Sequence, residues 1–404
     1  MTRSAVVTGV GLLTPLGDQP AVVHDALMAG RTAFAPVELF STDGFSCRHA
    51  AAITGFAPEH YLGPRNFRPI DRTARLAASA AELTLRDAGW KTEAARSQEI
   101  GLVLGTMFGS VRTIAEFDRR GVVEGPEYVS PLDFANTVIC AAAGQLAIIH
   151  GLRGANCTIS CGAASGLEAI GQGVRLIQSG RLNAVLAGGA EEFCYESFYG
   201  FLQAGRLCGS GPTGPEYPIP YDRRRNGCVL GEGAAFVMLE DEESARARGA
   251  AVRARIRACQ STFAVDDDLG AAVESAIARA LRQAAIASTD IDVISAAGCG
   301  SEPLDRAEAS GIRGALISRA DTVPVTALKG ALGETNGAAG ALQVVLMLEA
   351  GRRGELPGTA MLGDVGAGIN LALSARPLAI PISNALITAA AAEGHACALV
   401  VSMN

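Results

Sequence analysis

No stretch of the 404 residues stays apolar for the ~18 to 20 positions that a membrane helix needs. Met1-Thr2-Arg3 runs straight into a strand-like segment, so a secretory leader is not expected either. Both absences argue against a membrane partner and place the chain in the cytoplasm. Basic residues are never bunched into a block, and 34 Lys and Arg stand against 41 Asp and Glu, for a net charge of −7. Nucleic acid is therefore not an expected partner. The histidines, His24, His49, His60, His150 and His395, show no HxxxH spacing, and the ten cysteines form no CxxC pair. Neither a metal nor another cofactor is expected from such a pattern. The run Asp266-Asp267-Asp268 lacks the remaining ligand positions of a calcium loop and reads as an exposed turn.

What the chain does have is apolar mass, 49% of residues against 19% charged, which excludes disorder as its main state. Its length exceeds one hydrophobic core and calls for two domains or two fused halves. The cysteines run from Cys47 to Cys397 in a chain with no expected leader, so they read as reduced thiols, most of them small core fillers.

Short runs of Val, Ile and Ala alternate with helical periodicity, which favours an α/β fold with buried strands. The first strand is expected at Ala5 to Gly11. The chain also resembles itself. Leu85-Arg86-Asp87-Ala88-Gly89 precedes a strand at Ile100 to Gly105, and Leu281-Arg282-Gln283-Ala284-Ala285 precedes one at Ile291 to Ala297. Later, Gly162 to Ile170 matches Gly337 to Val345, each opening an apolar helix rich in small residues. Ala and Gly dominate these matches, so Ala-rich composition is the competing explanation. Duplication predicts halves at 1–250 and 251–404, and the small residues predict helices buried at the centre of a layered fold.

At Ser160 to Gly166 a β-like run meets a helix through Cys161-Gly162-Ala163, the strand-turn-helix geometry that exposes a nucleophile at a helix N-terminus. The residue at the apex is Ala163, and a methyl group cannot attack a thioester.

The opening Val6-Val7-Thr8-Gly9-Val10-Gly11-Leu12-Leu13-Thr14-Pro15-Leu16-Gly17 closely resembles that of β-ketoacyl synthases, and Pro220-Tyr221-Asp222-Arg223-Arg224-Arg225-Asn226-Gly227-Cys228-Val229-Leu230-Gly231-Glu232-Gly233-Ala234 resembles their PFDxxRDGFVxGEGA stretch. The likeness runs through almost the whole chain. It implies a thiolase fold, with duplicated βαβαβαββ halves in five layers, α-β-α-β-α. In that family an elbow Cys accepts the acyl chain, and two His assist decarboxylation of the malonyl extender. This chain departs at all three places. Ala163 stands at the nucleophile, Ala297 at the first histidine and Glu334 at the second, while Lys329, Asp305 and Glu308 match retained family residues. Condensation needs a thiolate and neutral donors for the enolate and oxyanion. Ala163 and Ala297 supply neither, and a carboxylate at 334 is expected to oppose the developing charge.

That pattern is similar to the chain length factor of type II polyketide synthases, a silent subunit paired with an active ketosynthase. The resemblance implies a heterodimer that completes an acyl tunnel and sets product length, with an acyl carrier protein delivering the chain. Common members carry Gln at the elbow where this chain has Ala163, which speaks against the aromatic-polyketide subclass and leaves open a reducing, polyene-type system or an equivalent subunit in another type II pathway. Thr106 to Arg120 matches the helix that closes the tunnel, and Ser110, Thr113 and Phe117, at i, i+3 and i+7, are expected on one face as a length gate or as ordinary interface packing. Thr137 is expected near the partner's pocket. Arg223-Arg224-Arg225 offers either a contact for an acidic carrier or internal ion pairs. His395 takes the place of a family Asn, and Ala389 to Glu393 replace a Gly-Phe-Gly-Gly gate. The alternatives are a condensing enzyme or malonyl decarboxylase using Cys161, against which stands the lack of a histidine at either expected place, and a homodimeric thiolase-fold binding protein.

Overall fold

The computed structural model of the chain describes residues 3–90, 99–209 and 216–404. Small and apolar residues fill Ala5–Leu13 apart from Thr8, and a strand of that kind needs cover on both faces. It lies inside an eleven-stranded sheet and is buried along its whole length. It pairs antiparallel with Gly233–Asp241 on one side and, at Val6 and Val7, with Ala254–Phe263 on the other.

The second of those contacts is a seam between two copies of one unit. From it outwards run Ala5–Leu13, Gly233–Asp241, Ala184–Glu191, Ile100–Gly105 and Asn156–Ile159 in one direction. In the other run Ala254–Phe263, His395–Met403, Asn384–Ala390, Val293–Ser295 and Pro324–Thr326, with Ala372–Leu373 added at the edge. Each half reads βαβαβαββ, with helices Arg72–Asp87, Ala141–His150 and Ser165–Gln178 in the first and Leu269–Ala284, Glu302–Leu316 and Ala339–Arg353 in the second. Even the capping repeats. Asp71 accepts the Ala74 N–H at 2.8 Å, and Asp268 accepts the Ala271 N–H at 2.9 Å at the start of the matching helix. The Asp266 to Asp268 run is thus partly a helix cap, not only an exposed turn. The strand expected over Ile291 to Ala297 is trimmed to Val293–Ser295, because the Ala297 N–H turns to the Glu308 carboxylate.

Helices Ser165–Gln178 and Ala339–Arg353 lie between the half-sheets, where glycine sets how closely they approach. A Cβ on Gly166 would stand 2.5 Å from the Gly337 carbonyl oxygen, and one on Gly340 would stand 2.7 Å from Leu167 Cβ. Leu167, Ile170 and Val174 meet Leu342, Val345 and Leu346 in this central core. Leu76, Ala80 and Leu146 pack against Leu102 and Phe236 outside the first half-sheet. Val273, Ile277 and Ile312 pack against Ile294 and Leu386 outside the second. The result is the five-layer thiolase fold. Among the described residues no helix is long and apolar enough to cross a membrane.

Candidate functional site

The strand Asn156–Ile159 ends the sheet, and its chain turns through Ser160 to Ala164 into helix Ser165–Gln178. Gly162 makes that turn with φ +64°, a value glycine adopts without the strain a side chain would bring. Ser165 Oγ accepts the Cys161 N–H at 2.9 Å and donates to the Gly162 carbonyl at 2.6 Å, fixing the elbow. Its apex, Ala163, is buried and offers a methyl group at a helix N-terminus.

Ala297 follows the short strand Val293–Ser295, and its N–H donates to Glu308 Oε1 at 2.8 Å. The same carboxylate accepts the Thr388 hydroxyl at 2.6 Å and the Tyr221 hydroxyl. Asp305 accepts the N–H groups of Tyr221 and Cys299 at 2.8 and 2.9 Å, and burial pushes its carboxyl up to about 7. Both acids therefore tie down the turn that carries Ala297. Tyr221 escapes motif reading because it differs from the Phe of the PFD stretch by one oxygen. That oxygen binds Glu308, and the ring lies so close to Gly298 that a Cβ there would stand 2.4 Å from it.

Glu334 is buried, and Lys329 Nζ donates to its Oε2 at 2.6 Å while the Asn336 N–H donates to its Oε1 at 2.9 Å. Burial works against the Lys329 ammonium, yet the Glu334 charge and hydrogen bond outweigh it and raise its pKa. Glu334 thus stands in the site as the partner of a buried ammonium, not as a lone carboxylate. What the position still lacks is a neutral N–H donor. Cys299 lies within electrostatic reach of Asp305, Glu334 and Lys329, so the Ala297 and Glu334 segments share one buried centre. The helix that follows Ala163 approaches the segment that follows Glu334 at Gly166 and Gly337.

The proposed gate is rearranged. Its helix spans Val111–Val123, so Ser110 stands ahead of the first helical residue, and its hydroxyl is buried 2.6 Å from Asp71 Oδ2. It does not share the outer helix face with Thr113 and Phe117, because Asp71, capping the neighbouring helix, draws it inward. Thr113 lines a recess of about 250 Å³ with Arg72, Arg112 and Glu192. Phe117 meets the Phe134 ring, centroids 5.9 Å apart. Thr137 donates to the Phe134 carbonyl at 2.8 Å. Around them Val122, Val123, Leu132, Phe134, Val138 and Ile148 expose apolar side chains. In the arginine triplet, Arg223 pairs with Asp364, Arg224 with Asp222, and buried Arg225 lies 3.9 Å from Asp305.

A histidine does reach Cys161, from an unexpected quarter. His395, at the start of its strand, hydrogen-bonds the Cys161 thiol and lies 3.4 Å from Glu168 Oε1. Nothing local in the sequence signals this, because strand order brings His395 to the elbow.

Residues 2–245 match the β-ketoacyl synthase N-terminal domain and residues 249–362 its C-terminal domain. The chain is 33% identical over 354 residues to 3-oxoacyl-[acyl-carrier-protein] synthase 2 of Vibrio cholerae, covering 85% of each. It is also 33% identical over 406 residues to the tetracenomycin polyketide synthase ketoacyl synthase beta subunit of Streptomyces glaucescens, covering 98% of this chain and 97% of that one. Among solved structures, the ishigamide ketosynthase/chain length factor superposes with a TM-score of 0.93 at 25% identity, over 100% of both chains. With both family domains matched in sequence and the duplicated fold built around an elbow that ends in Ala163, the chain belongs to the β-ketoacyl synthase family.

Proposed function

We propose that this chain is a ketosynthase-like chain length factor that does not itself condense. It pairs with an active ketosynthase subunit, completes that subunit's acyl tunnel, and limits the length of the chain delivered by an acyl carrier protein. The observation that carries this reading is the centre itself, where a complete ketosynthase frame surrounds Ala163, Ala297 and a Glu334 already bound to Lys329. A nucleophile and two neutral ring donors are what condensation requires, and none stands at those positions. The edge strand Asn156–Ile159, with one paired neighbour among the described residues, and the exposed apolar side chains beside it favour a partner of similar size. The full-length likeness to a polyketide synthase beta subunit supports the same assignment.

The test is co-expression with an active ketosynthase, followed by mass analysis of the purified species and assay of malonyl condensation. A one-to-one complex that condenses, beside an isolated chain that does not, is the expected result. A stable homodimer that condenses malonyl units unaided would overturn the proposal.

A further inference from the structure

Three side chains from separate places meet beside the empty apex. Cys161 precedes the central helix, Glu168 lies in that helix's first turn, and His395 opens a strand of the other half. Cys161 is half-buried, whereas Cys194, Cys228, Cys299 and Cys397 are buried and their thiols are pushed up by burial and neighbouring groups. The Cys161 backbone is held by Ser165, so its thiol has a fixed bearing. Around Glu168 stand Arg175 at 3.4 Å, the Ser261 hydroxyl and the Cys397 thiol. Burial alone would raise the Glu168 carboxyl, but His395, Ser261 and Arg175 hold it down to about 2. Cys161 and Glu168 together push His395 up to about 10, so it is an imidazolium at neutral pH. Above the turn, a Cβ on Gly162 would stand 2.6 Å from Glu393 Oε2, and Glu393 is held at the surface by Arg206 at 3.4 Å.

We propose that Cys161, His395 and Glu168 form a thiol site that accepts an acyl group from a thioester without condensing it. A thiolate beside an imidazolium is the state in which cysteine attacks carbonyl carbon. Cys161 Sγ bonds to the thioester carbonyl, the bond from that carbon to the donor's sulfur breaks, and His395 gives its proton to the departing thiolate. The products are an acyl-Cys161 thioester and a free donor thiol. Glu168 is a positioning residue that keeps the imidazole charged and aimed. Ala297 and Glu334 lack the neutral donors a condensation would need, so the reaction stops at acyl transfer. This site is independent of which partner the chain takes.

The full chain, with any subunit that copurifies, is incubated with butyryl-N-acetylcysteamine and mapped by peptide mass. The exposed Cys140 serves as an internal reference in the same molecule. The expected result is a butyryl group on Cys161, with Cys161 also reacting faster than Cys140 with iodoacetamide. His395→Gln should slow both reactions at Cys161 by about tenfold or more while leaving Cys140 unchanged. Glu168→Gln should move the pH profile of Cys161 alkylation to higher pH, an effect that loss of packing does not produce, and it decides the matter if His395→Gln fails to fold. No acyl group on Cys161, or reactivity there indifferent to both substitutions in a folded chain, overturns the proposal.

Discussion

Lys329 Nζ and Glu334 Oε2 lie 2.6 Å apart with both side chains buried, and Lys329 is one of only two lysines in the chain. A pair of this kind costs desolvation on forming and costs more when broken on one side. Lys329→Met should destabilise the fold by ~3–5 kcal/mol, since it leaves an unpaired buried carboxylate. Lys329→Met with Glu334→Leu should recover most of that loss, as measured by urea unfolding. The raised pKa of Lys329 adds a pH test. Its contribution is complete below the ordinary lysine value of 10.5 and is lost only as pH climbs through the higher folded-state value. A double variant as unstable as the single one would show that the pair is not the cause.

Glu192 titrates in the same sense but at lower pH. It is buried, its Oε1 has no hydrogen-bond partner, and burial together with the Asp71 charge pushes its carboxyl from 4.5 up to about 8. The folded state therefore keeps a proton that the unfolded state releases above 4.5, so this residue makes stability fall as pH rises from there to about 8. Glu192→Gln removes the titration while keeping the shape. The variant should melt near the parent temperature at pH 5 and above it at pH 9. Parallel melting curves across that range would refute the burial account.

How far these features could be read from sequence depends on the distance over which each is encoded. The elbow at Ser160 to Gly166 is legible because a strand, a glycine turn and a helix start follow one another directly. The duplication is legible because both halves keep the same helix-strand spacing and the same small-residue central helix. The Lys329–Glu334 contact is only five residues long, but it needs Gly333 at φ +77° to turn Glu334 back on the one-turn helix Lys329–Leu332. Ser110 is misread from spacing because a buried bond to Asp71, outside its own segment, decides its direction. His395 and Glu168 are 227 residues apart, joined only when the second half-sheet closes on the first, and no local pattern contains that.

Phe117 stands against Phe134, and each directly follows a residue, Glu116 or Asp133, that lines the recess with Thr113. Removing a half-buried aromatic opens volume that the neighbouring Phe134 fills only in part. On the proposed chain-length-factor reading, Phe117→Ala should shift the products of a reconstituted complex with an active ketosynthase towards longer chains, read by mass spectrometry. An unchanged length distribution from an intact complex would reduce Phe117 to packing.

Ile148 is 78% exposed on the helix Ala141–His150, next to the sheet edge. Carrying so much apolar surface in water is unfavourable unless a partner covers it. Ile148→Asp should leave the melting temperature of the isolated chain within a few degrees of the parent while preventing copurification with the proposed ketosynthase partner. Retention of a one-to-one complex would place the interface elsewhere.

Ala163→Cys isolates the nucleophile from the rest of the chemistry. The elbow is intact, with Gly162 at φ +64° and Ser165 bridging the turn, so a thiol at 163 would sit at a helix N-terminus that favours its thiolate. Acylation of that thiol by a small acyl thioester is therefore expected, and peptide mass would distinguish it from modification at Cys161. Condensation is not expected to follow. The Ala297 N–H is committed to Glu308, its methyl side chain carries no donor, and Glu334 accepts from Lys329 where a neutral ring N–H is required. An acylated but non-condensing variant would show that the loss is shared among three positions. Recovery of malonyl condensation by this one substitution would mean that the nucleophile alone had been missing and that Lys329 can do the work of the absent histidines.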